Sequence, residues 1–190
     1  IKGASNASKL DKQIWDEFYN NWDAALFASE EMLAKTKRTT IERINKIETA
    51  DLPKEGKEKE RIVKTRVNQS IFRTVVLATY NNSCCITGIN NPELLIASHI
   101  VPWSKDEKNR LNPMNGLCLN ALHDKAFDSG LITISADDYT IMISSKLKKK
   151  NATQSIEQNF LNIEGKVIHL PDKFLPAKEL LKVHNEFFAF

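Results

Sequence analysis

The sequence is poor in the residues that mark fibrous, disordered and membrane-spanning chains. Only 6 Gly and 6 Pro occur among its 190 residues, which excludes collagen-like repeats and Pro/Gly-rich disordered chains. Its longest apolar runs, at 75–78 and 94–97, are far shorter than the roughly 18 residues that span a bilayer. We therefore expect one compact globular domain, or one domain with a small helical extension, and no membrane partner.

Cysteine is also scarce, and its pattern does not suit a disulfide framework. Cys84, Cys85 and Cys118 are an odd number, and the adjacent pair would bridge only through a strained ring. The first eight residues are mostly small and polar, unlike the apolar segment of a secretory signal. We therefore expect a protein of the reducing cytoplasm, with a cytoplasmic localisation.

Charge of one sign is not in large excess either. The chain has 27 Lys and Arg against 24 Asp and Glu, a formal net charge of +3. Such a mildly basic balance permits a nucleic-acid partner without requiring one. Composition therefore leaves the function to be inferred from the motifs.

Apolar periodicity predicts a helical N-terminal region, which we place at residues 1–65. A helix is expected from residue 10 to about residue 36, where large apolar side chains recur at steps of three, four and seven. These side chains are Trp15, Phe18, Trp22, Leu26 and Leu33. A shorter helix is expected to follow, with Thr39 or Thr40 as its N-cap. The charge-rich stretch 54–66 is either a linker or the exposed start of the next helix.

The hydrophobic period changes along residues 66–190, which predicts a mixed helical and β domain. After a helix over 67–80, short strands are expected at 85–88 and 94–100, joined as a hairpin. The remaining expected elements are an apolar piece at 117–119, a helix at 121–127, a hairpin of 131–135 with 139–144, a strand at 166–170 and a final helix from Pro176. The predicted fold class is α+β.

Polar motifs stand in the middle of this domain. They are S-H-I-V-P-W at 98–103, N-G-L at 115–117 and H-D-K-A-F-D-S-G at 123–130. His99 is thus expected at the end of a strand, Asn115 in the turn before the next strand, and His123 on the following helix. Two strands and a helix in this order can bring all three side chains to one small site.

These residues resemble the HNH endonucleases, and in particular a restriction-type subgroup with the pattern S-H-I-x-P-W, N-G-L and H-x-x-x-F-D-x-G. The resemblance is strongest over residues 66–134, with the core motif at 84–134. It implies a ββα-metal nuclease unit between the N-terminal helices and a C-terminal hairpin and helix. It also implies a metal-dependent endonuclease that hydrolyses duplex DNA and leaves 5′-phosphate and 3′-hydroxyl ends.

Phosphodiester hydrolysis needs a proton acceptor, neutralisation of phosphate charge and a stabilised leaving oxygen. His99 is the expected general base, because imidazole titrates near neutrality and the resemblance gives the first motif histidine this role. Asn115 is expected to bond the backbone near His99 and orient it. His123 is expected to bind the metal ion, which we take to be Mg²⁺ with Mn²⁺ as a substitute.

The resemblance leaves the second metal ligand open. Many family members have Asp or Glu before the first histidine, where this chain has Ser98. Asp128 is the first candidate to replace that carboxylate. Asp124 is the second, because it lies about 100 degrees around the helix from His123. Ser98, water and substrate oxygens would complete the shell. No structural zinc is expected, because the cysteines lack paired Cys-x-x-Cys spacing.

Several basic and aromatic residues are candidate DNA contacts. Arg66, Gln69 and Arg73 recur at helical spacing and share a polar face. Lys148 belongs to a basic run that suits either phosphate contact or a solvated strand end. Trp103 suits either packing or a contact to the sugar-phosphate edge.

Other functions fit the same motifs. The chain is alternatively a non-cleaving nucleic-acid-binding protein that keeps the HNH scaffold, or a nuclease of a toxin or mobile element. In a restriction enzyme, two-strand cleavage favours a homodimer, with the helix that carries Trp15 and Trp22 as its interface or as core. A methyltransferase encoded nearby would protect host DNA.

Overall fold

The computed structural model of the chain shows an α+β fold, which confirms the predicted fold class. It describes residues 12, 22–48, 52–53, 56–149 and 152–190. No helix within these ranges is both long enough and apolar enough to cross a bilayer.

The first of two compact units, Ile1–Ile71, is helical where it is described. Helix α1 spans Trp22–Thr36 and helix α2 spans Ile41–Ile44. Thr40 is the N-cap of α2, because its side-chain oxygen accepts a hydrogen bond from a backbone N–H of the first turn. The first predicted helix is thus confirmed from residue 22 onward. Trp15 and the side chain of Trp22, predicted as interface or core, lie outside what the structure describes.

Helix α3 spans Lys57–Thr79, and the division between the two units falls within it. Its start lies in the charge-rich stretch, which is therefore the exposed beginning of a helix. Glu58 and Glu60 stand in the first turn, where acidic side chains interact favourably with the positive end of the helix dipole.

The second unit, Phe72–Phe190, is built on an antiparallel strand pair. Strand β1 spans Leu95–His99 and β2 spans Gly116–Asn120, and the register places His99 opposite Gly116. The strand predicted at 85–88 is wrong, because this segment forms a turn in which the Gly88 N–H donates to the Cys84 carbonyl at 2.8 Å. A short segment of this composition fits a turn as well as a strand, so the sequence pattern did not separate the two.

Helix α4, Ala121–Asp128, follows β2 without a loop. The Asn120 side chain caps it by accepting hydrogen bonds from the N–H groups of Leu122 and His123. The helix ends before Gly130, which has a left-handed φ of 62° and so suits glycine. The sequence β1, β2, α4 is the ββα order that the motifs predicted.

The rest of the second unit supports this core. Strands β3 (Ile132–Ile134) and β4 (Ile141–Ile143) form the second predicted hairpin. Helix α5 spans Gln154–Asn159 and helix α6 spans Lys178–Phe188. The strand predicted at 166–170 is reduced to a single β-bridge from Val167 to β4's neighbour, Thr140. The buried core is formed by side chains from several of these elements, among them Phe127, Leu117, Leu119, Ile132, Ile134 and Leu181.

Gly116 lets α3 pack closely against β2. A Cβ at this position would lie 2.4 Å from Cγ2 of Val76 and 3.1 Å from the Phe72 ring. These distances leave no room for a side chain. The glycine of the N-G-L motif is therefore required by packing, and it fixes the strand that begins next to Asn115.

Candidate active site

His99 ends strand β1 in a closely packed setting. Its ring stacks on Phe72, with the centroids 3.7 Å apart and the planes 9° from parallel. Its Nε2 lies 3.0 Å from the backbone carbonyl of Arg110. Because a carbonyl only accepts hydrogen bonds, this contact favours the tautomer with the proton on Nε2 and a free lone pair on Nδ1.

The pKa of His99 is lowered from its usual value by burial, and the hydrogen bond to Arg110 opposes this effect in part. Burial disfavours the charged form of imidazole. The ring is therefore neutral at pH 7, which is the protonation state that a general base needs.

Asn115 ties together the two backbone segments beside His99. Its Oδ1 accepts a hydrogen bond from the Val101 N–H at 2.8 Å. Its Nδ2 donates to the carbonyls of Val101 and Asn109, at 3.1 Å each. The side chain is fully buried, so these bonds are not exchanged for water. These bonds fix the backbone on both sides of the side chain, and the positioning role of Asn115 stays a prediction.

The loop that presents the Arg110 carbonyl is itself held by internal hydrogen bonds. The Asp106 carboxylate accepts from the N–H of Lys108 and from both the backbone and the side chain of Asn109. The Arg110 Nε donates to the Trp103 carbonyl at 3.0 Å. The orientation of the His99 ring therefore depends on the conformation of this hydrogen-bonded loop.

An open cleft lies against His99, which we call the His99 cleft. It is lined by Ile96, Ala97, Ser98, His99, Pro102, Trp103, Asp124, Lys125 and Asp128. Asp124 and Asp128 are four residues apart on α4, so their carboxyl groups share one helix face. The cleft thus combines a neutral imidazole, two carboxyl groups and the ammonium group of Lys125.

The two carboxyl groups influence each other. Burial is the main cause that raises the pKa of Asp124, while the neighbouring Ser98 hydroxyl and Lys125 lower it. Burial also raises the pKa of Asp128, and the charge of Asp124 raises it further. Two carboxylates that repel each other in a partly dehydrated cleft are stabilised by a bound cation.

His123 does not line the His99 cleft, which differs from the expected metal site. Its side chain is 1% exposed, with Nε2 at 2.9 Å from the Asn159 carbonyl and Nδ1 at 3.1 Å from Asn120 Oδ1. The reason is helix geometry: when Asp124 and Asp128 face the cleft, a residue 100 degrees away faces the core. The motif histidine instead joins α4 to the end of α5.

The oxygen donors of the cleft suit a hard cation that takes only some of its ligands from the protein. Within the described ranges, no group of three or more His, Cys, Asp or Glu is arranged to hold a metal ion. Mg²⁺, however, usually binds through one or two carboxylates and keeps waters and phosphate oxygens as further ligands. The Ser98 Oγ is buried and makes no well-formed hydrogen bond within the described chain. Asp124, Asp128 and Ser98 therefore fit such an ion.

The expected DNA contacts divide into two groups. Trp103 lines the His99 cleft. Arg73 differs from expectation, because its guanidinium donates to the carbonyls of Leu95 at 2.6 Å and Pro92 at 2.8 Å. It thereby holds the start of β1. Lys148 forms an ion pair with Glu164, outside the cleft.

Arg66 and Gln69 belong to the first compact unit, and their role as DNA contacts stays a prediction. Arg66 donates to the Glu48 carbonyl at 2.6 Å, whereas Gln69 is exposed.

Lys125 and the Arg110 carbonyl were missed by sequence reasoning. Lys125 carried only the signal of a charged residue within a motif. The carbonyl of Arg110 carried no signal, because every residue has such a group and only the loop's conformation brings it to His99.

Comparison with known families agrees with this geometry. A family model described as HNH endonuclease matches residues 84–135, a range that includes β1, β2, α4 and every residue lining the His99 cleft. A comparison with curated proteins finds no match. Members of the family generally use a divalent metal ion, and the family implies nuclease activity with DNA as the substrate. Over residues 84–135, this chain is therefore similar to the HNH endonuclease family.

Proposed function

We propose that this chain is a divalent-metal-dependent DNA endonuclease in which His99 is the general base. The observation that carries the proposal is the convergence of His99, Asp124 and Asp128 on one cleft. Proton acceptor and cation-binding groups are the two components that phosphodiester hydrolysis requires of the protein. The family match over the same residues supports the same reaction.

In the proposed reaction, His99 Nδ1 removes a proton from a water molecule as the water oxygen bonds to phosphorus. The bond from phosphorus to the 3′ oxygen breaks, and that oxygen takes a proton from solvent. The products are a 5′-phosphate and a 3′-hydroxyl. Phe72 stacking and the Arg110 carbonyl hold the imidazole for this step, and Asn115 holds the backbone that carries it.

Asp124 and Asp128 would hold the metal ion, with Ser98, water and phosphate oxygens as further ligands. When bound, the ion neutralises phosphate charge and stabilises the departing oxygen. Lys125, which also lines the cleft, adds a fixed positive charge for the phosphate. His123 has no part in this assignment, because its two ring nitrogens lie against oxygens of Asn120 and Asn159.

Plasmid cleavage tests the general base. We expect wild-type protein to cleave plasmid DNA with Mg²⁺ or Mn²⁺ and to stop with EDTA, and end sequencing to find 5′-phosphates. His99→Ala should lower the cleavage rate by about 100-fold or more while DNA binding persists. His169→Ala, at an exposed histidine, is the matched control. Wild-type activity in His99→Ala would remove His99 from the mechanism.

Calorimetric titration with Mn²⁺ tests the metal ligands. Asp124→Asn and Asp128→Asn should each weaken Mn²⁺ binding by about tenfold or more, because each removes a charged ligand. Asp137→Asn is a control at an exposed carboxylate. His123→Gln should keep the affinity for Mn²⁺ and lower the melting temperature. Loss of Mn²⁺ binding in a folded His123→Gln would return the ligand role to the histidine.

The incomplete protein shell favours one alternative, a DNA-binding protein that keeps the HNH scaffold without cleaving. Only two acidic side chains are among the residues lining the His99 cleft. In that case the titration would find no saturable Mn²⁺ site, and the plasmid would be bound but intact.

We further propose a restriction role, supported by the subgroup motifs S-H-I-x-P-W and H-x-x-x-F-D-x-G. Such an enzyme cuts at discrete sites, spares DNA modified by a partner methyltransferase, and cuts both strands as a homodimer. Mapping of cleavage sites on modified and unmodified DNA distinguishes this role from the unselective cleavage of a toxin nuclease. Sedimentation with and without DNA measures the dimer.

A further inference from the structure

A second cavity, of about 290 Å³, adjoins the His99 cleft. Its walls come from the segment after His99, including Lys105, and from helix α6, including Val183 and Phe187. His99, Pro102 and Asp128 line both cavities. The second cavity, which we call the α6 pocket, therefore borders the place where the scissile phosphate would bind in the proposed reaction.

The α6 pocket carries an apolar surface that the fold does not cover. Helix α6 buries Leu181 and His184 against the core, whereas Phe187 is 63% exposed and Val183 is 49% exposed. An aromatic ring left in water beside a catalytic cleft suits contact with a ligand. The Phe187 ring contacts the Phe188 ring and the Lys105 ammonium group, and most of its surface remains open to solvent.

A cation stands over this aromatic wall. Lys105 Nζ lies 3.3 Å from the centroid of the Phe187 ring, in the geometry of a cation–π contact. Lys105 is exposed, so its ammonium group is accessible to an anion. The pocket thus pairs a flat apolar surface with a positive charge.

A nucleotide combines the complementary features, a flat aromatic base and a phosphate. Bases stack on exposed aromatic side chains in proteins that bind unpaired strands, while lysines neutralise the phosphates. The cavity is at the lower limit of the size of ligand pockets, which fits one base better than a peptide segment. Because His99 and Asp128 line this pocket as well as the His99 cleft, the pocket lies next to the proposed position of the cleaved bond.

We propose that the α6 pocket receives the unstacked base of a nucleotide beside the cleaved phosphodiester, with Phe187 as the stacking surface and Lys105 as the cation for its phosphate. This inference rests on the proposed nuclease function, and it adds a site for the flanking nucleotide that the reaction alone does not require. Drawing a base out of the helix breaks its pairing and stacking, so the pocket would favour sites that open easily.

Base stacking is measured with 2-aminopurine, whose fluorescence rises when it leaves the DNA stack and changes again on contact with an aromatic ring. The cleavage site is first mapped with wild-type protein. Duplexes then carry 2-aminopurine at each nucleotide flanking that site, with EDTA present to prevent cleavage. We expect a protein-dependent signal at one flanking position, and its loss in Phe187→Ala. Phe174→Ala, at a half-exposed ring that lines neither cavity, should keep the signal.

An abasic substrate isolates the contribution of the base. On normal DNA, Phe187→Ala should weaken binding by between about 5-fold and about 100-fold, the range for loss of one stacked base. On DNA that is abasic at the flanking position, wild type and Phe187→Ala should bind equally. Phe187→Tyr should restore binding, which separates lost stacking from misfolding, and melting temperatures verify the fold.

The outcomes separate this inference from the nuclease function. If wild type and Phe187→Ala cleave alike and give the same 2-aminopurine signal, the proposed role of the α6 pocket is wrong. The proposed nuclease function is then unaffected. If Phe187→Ala alters only the sedimentation coefficient, a second copy of the chain covers the pocket, which also overturns the inference. If wild type neither binds nor cleaves any DNA, both the proposed nuclease function and the proposed role of the α6 pocket are wrong.

Discussion

At the scale of single residues, the chemistry of His99 is determined by neutral neighbours. Phe72 excludes water from one face of the ring, and the Arg110 carbonyl selects the tautomer. The ring therefore has a lowered pKa without a carboxylate partner. A base of this kind is weaker than free imidazole, but it remains unprotonated over a wider pH range.

If His99 is the general base proposed above, the pH dependence of cleavage follows from its lowered pKa. The reaction needs neutral imidazole, so the rate falls only when the pH drops below the lowered pKa. We expect the acid limb of kcat/KM to have its midpoint below 6.5, the usual value for histidine. Mn²⁺ affinity is measured at each pH as a control, because protonation of Asp124 and Asp128 also releases the ion. A midpoint above 6.5 at constant metal occupancy would contradict this account.

At the scale of elements, the rotation of α4 decides which motif residues share a site. Its eight residues make little more than two turns. Ala126 and Phe127 are buried, and this apolar face fixes the rotation of the helix. Asp124 and Asp128 are consequently directed to the cleft, and His123 is directed to the interior.

The contact between α3 and β2 gives a prediction at the same scale. Gly116→Ala should lower the free energy of unfolding by about 1–3 kcal/mol, the usual cost of overpacking, because its Cβ would meet Cγ2 of Val76. The φ of Gly116 is −122°, which alanine adopts readily, so backbone strain adds nothing. Urea denaturation measures the loss.

The double variant Gly116→Ala/Val76→Ala is the matched control. Removing Cγ2 relieves the contact, so the second substitution should cost less in the Gly116→Ala background than in wild type. Strictly additive losses would show that the clash is not the cause.

At the scale of the whole second unit, a buried histidine connects three elements. His184 of α6 stacks on Phe127 of α4 at 3.8 Å, and its Nδ1 lies 2.7 Å from the Thr133 hydroxyl of β3. The Thr133 hydroxyl donates to Asn185 at 2.7 Å. The C-terminal helix is thus docked through a neutral imidazole in the core.

Acid should weaken this docking. Burial lowers the pKa of His184 from 6.5 to about 4, so protonation favours the unfolded chain. The contribution to stability is complete above pH 6.5 and is lost progressively as the pH falls toward 4, on the order of 3 kcal/mol in total. We expect the free energy of unfolding of wild type to fall over this range more steeply than that of His184→Gln, as measured by urea denaturation.

His169→Gln provides the comparison, because His169 is exposed. Its unfolding free energy should follow the wild-type pH dependence. Equal slopes for wild type and His184→Gln would mean that another group controls acid stability.

Much of the fold was readable from the sequence, because its signals are local. The turn at Asn115-Gly116, the helix ending at Gly130 and the hairpin of β3 and β4 follow from residues that are neighbours in the chain. The misassigned strand at 85–88 shows the limit of this reasoning. A turn and a short strand can have the same composition, and only a partner strand distinguishes them.

Local sequence encodes the order of the motifs, and with it the order of the ββα elements, the strand-end position of His99 and the capping of α4 by Asn120, because each depends on residues close in the chain. Tertiary packing places Asp124 in the lining of the His99 cleft and His123 in the interior, because their positions depend on which face of α4 the core buries. It also decided that Arg73 holds β1 and that the Arg110 carbonyl selects the His99 tautomer. These contacts join residues 22 and 11 positions apart in sequence, and no local pattern encodes them.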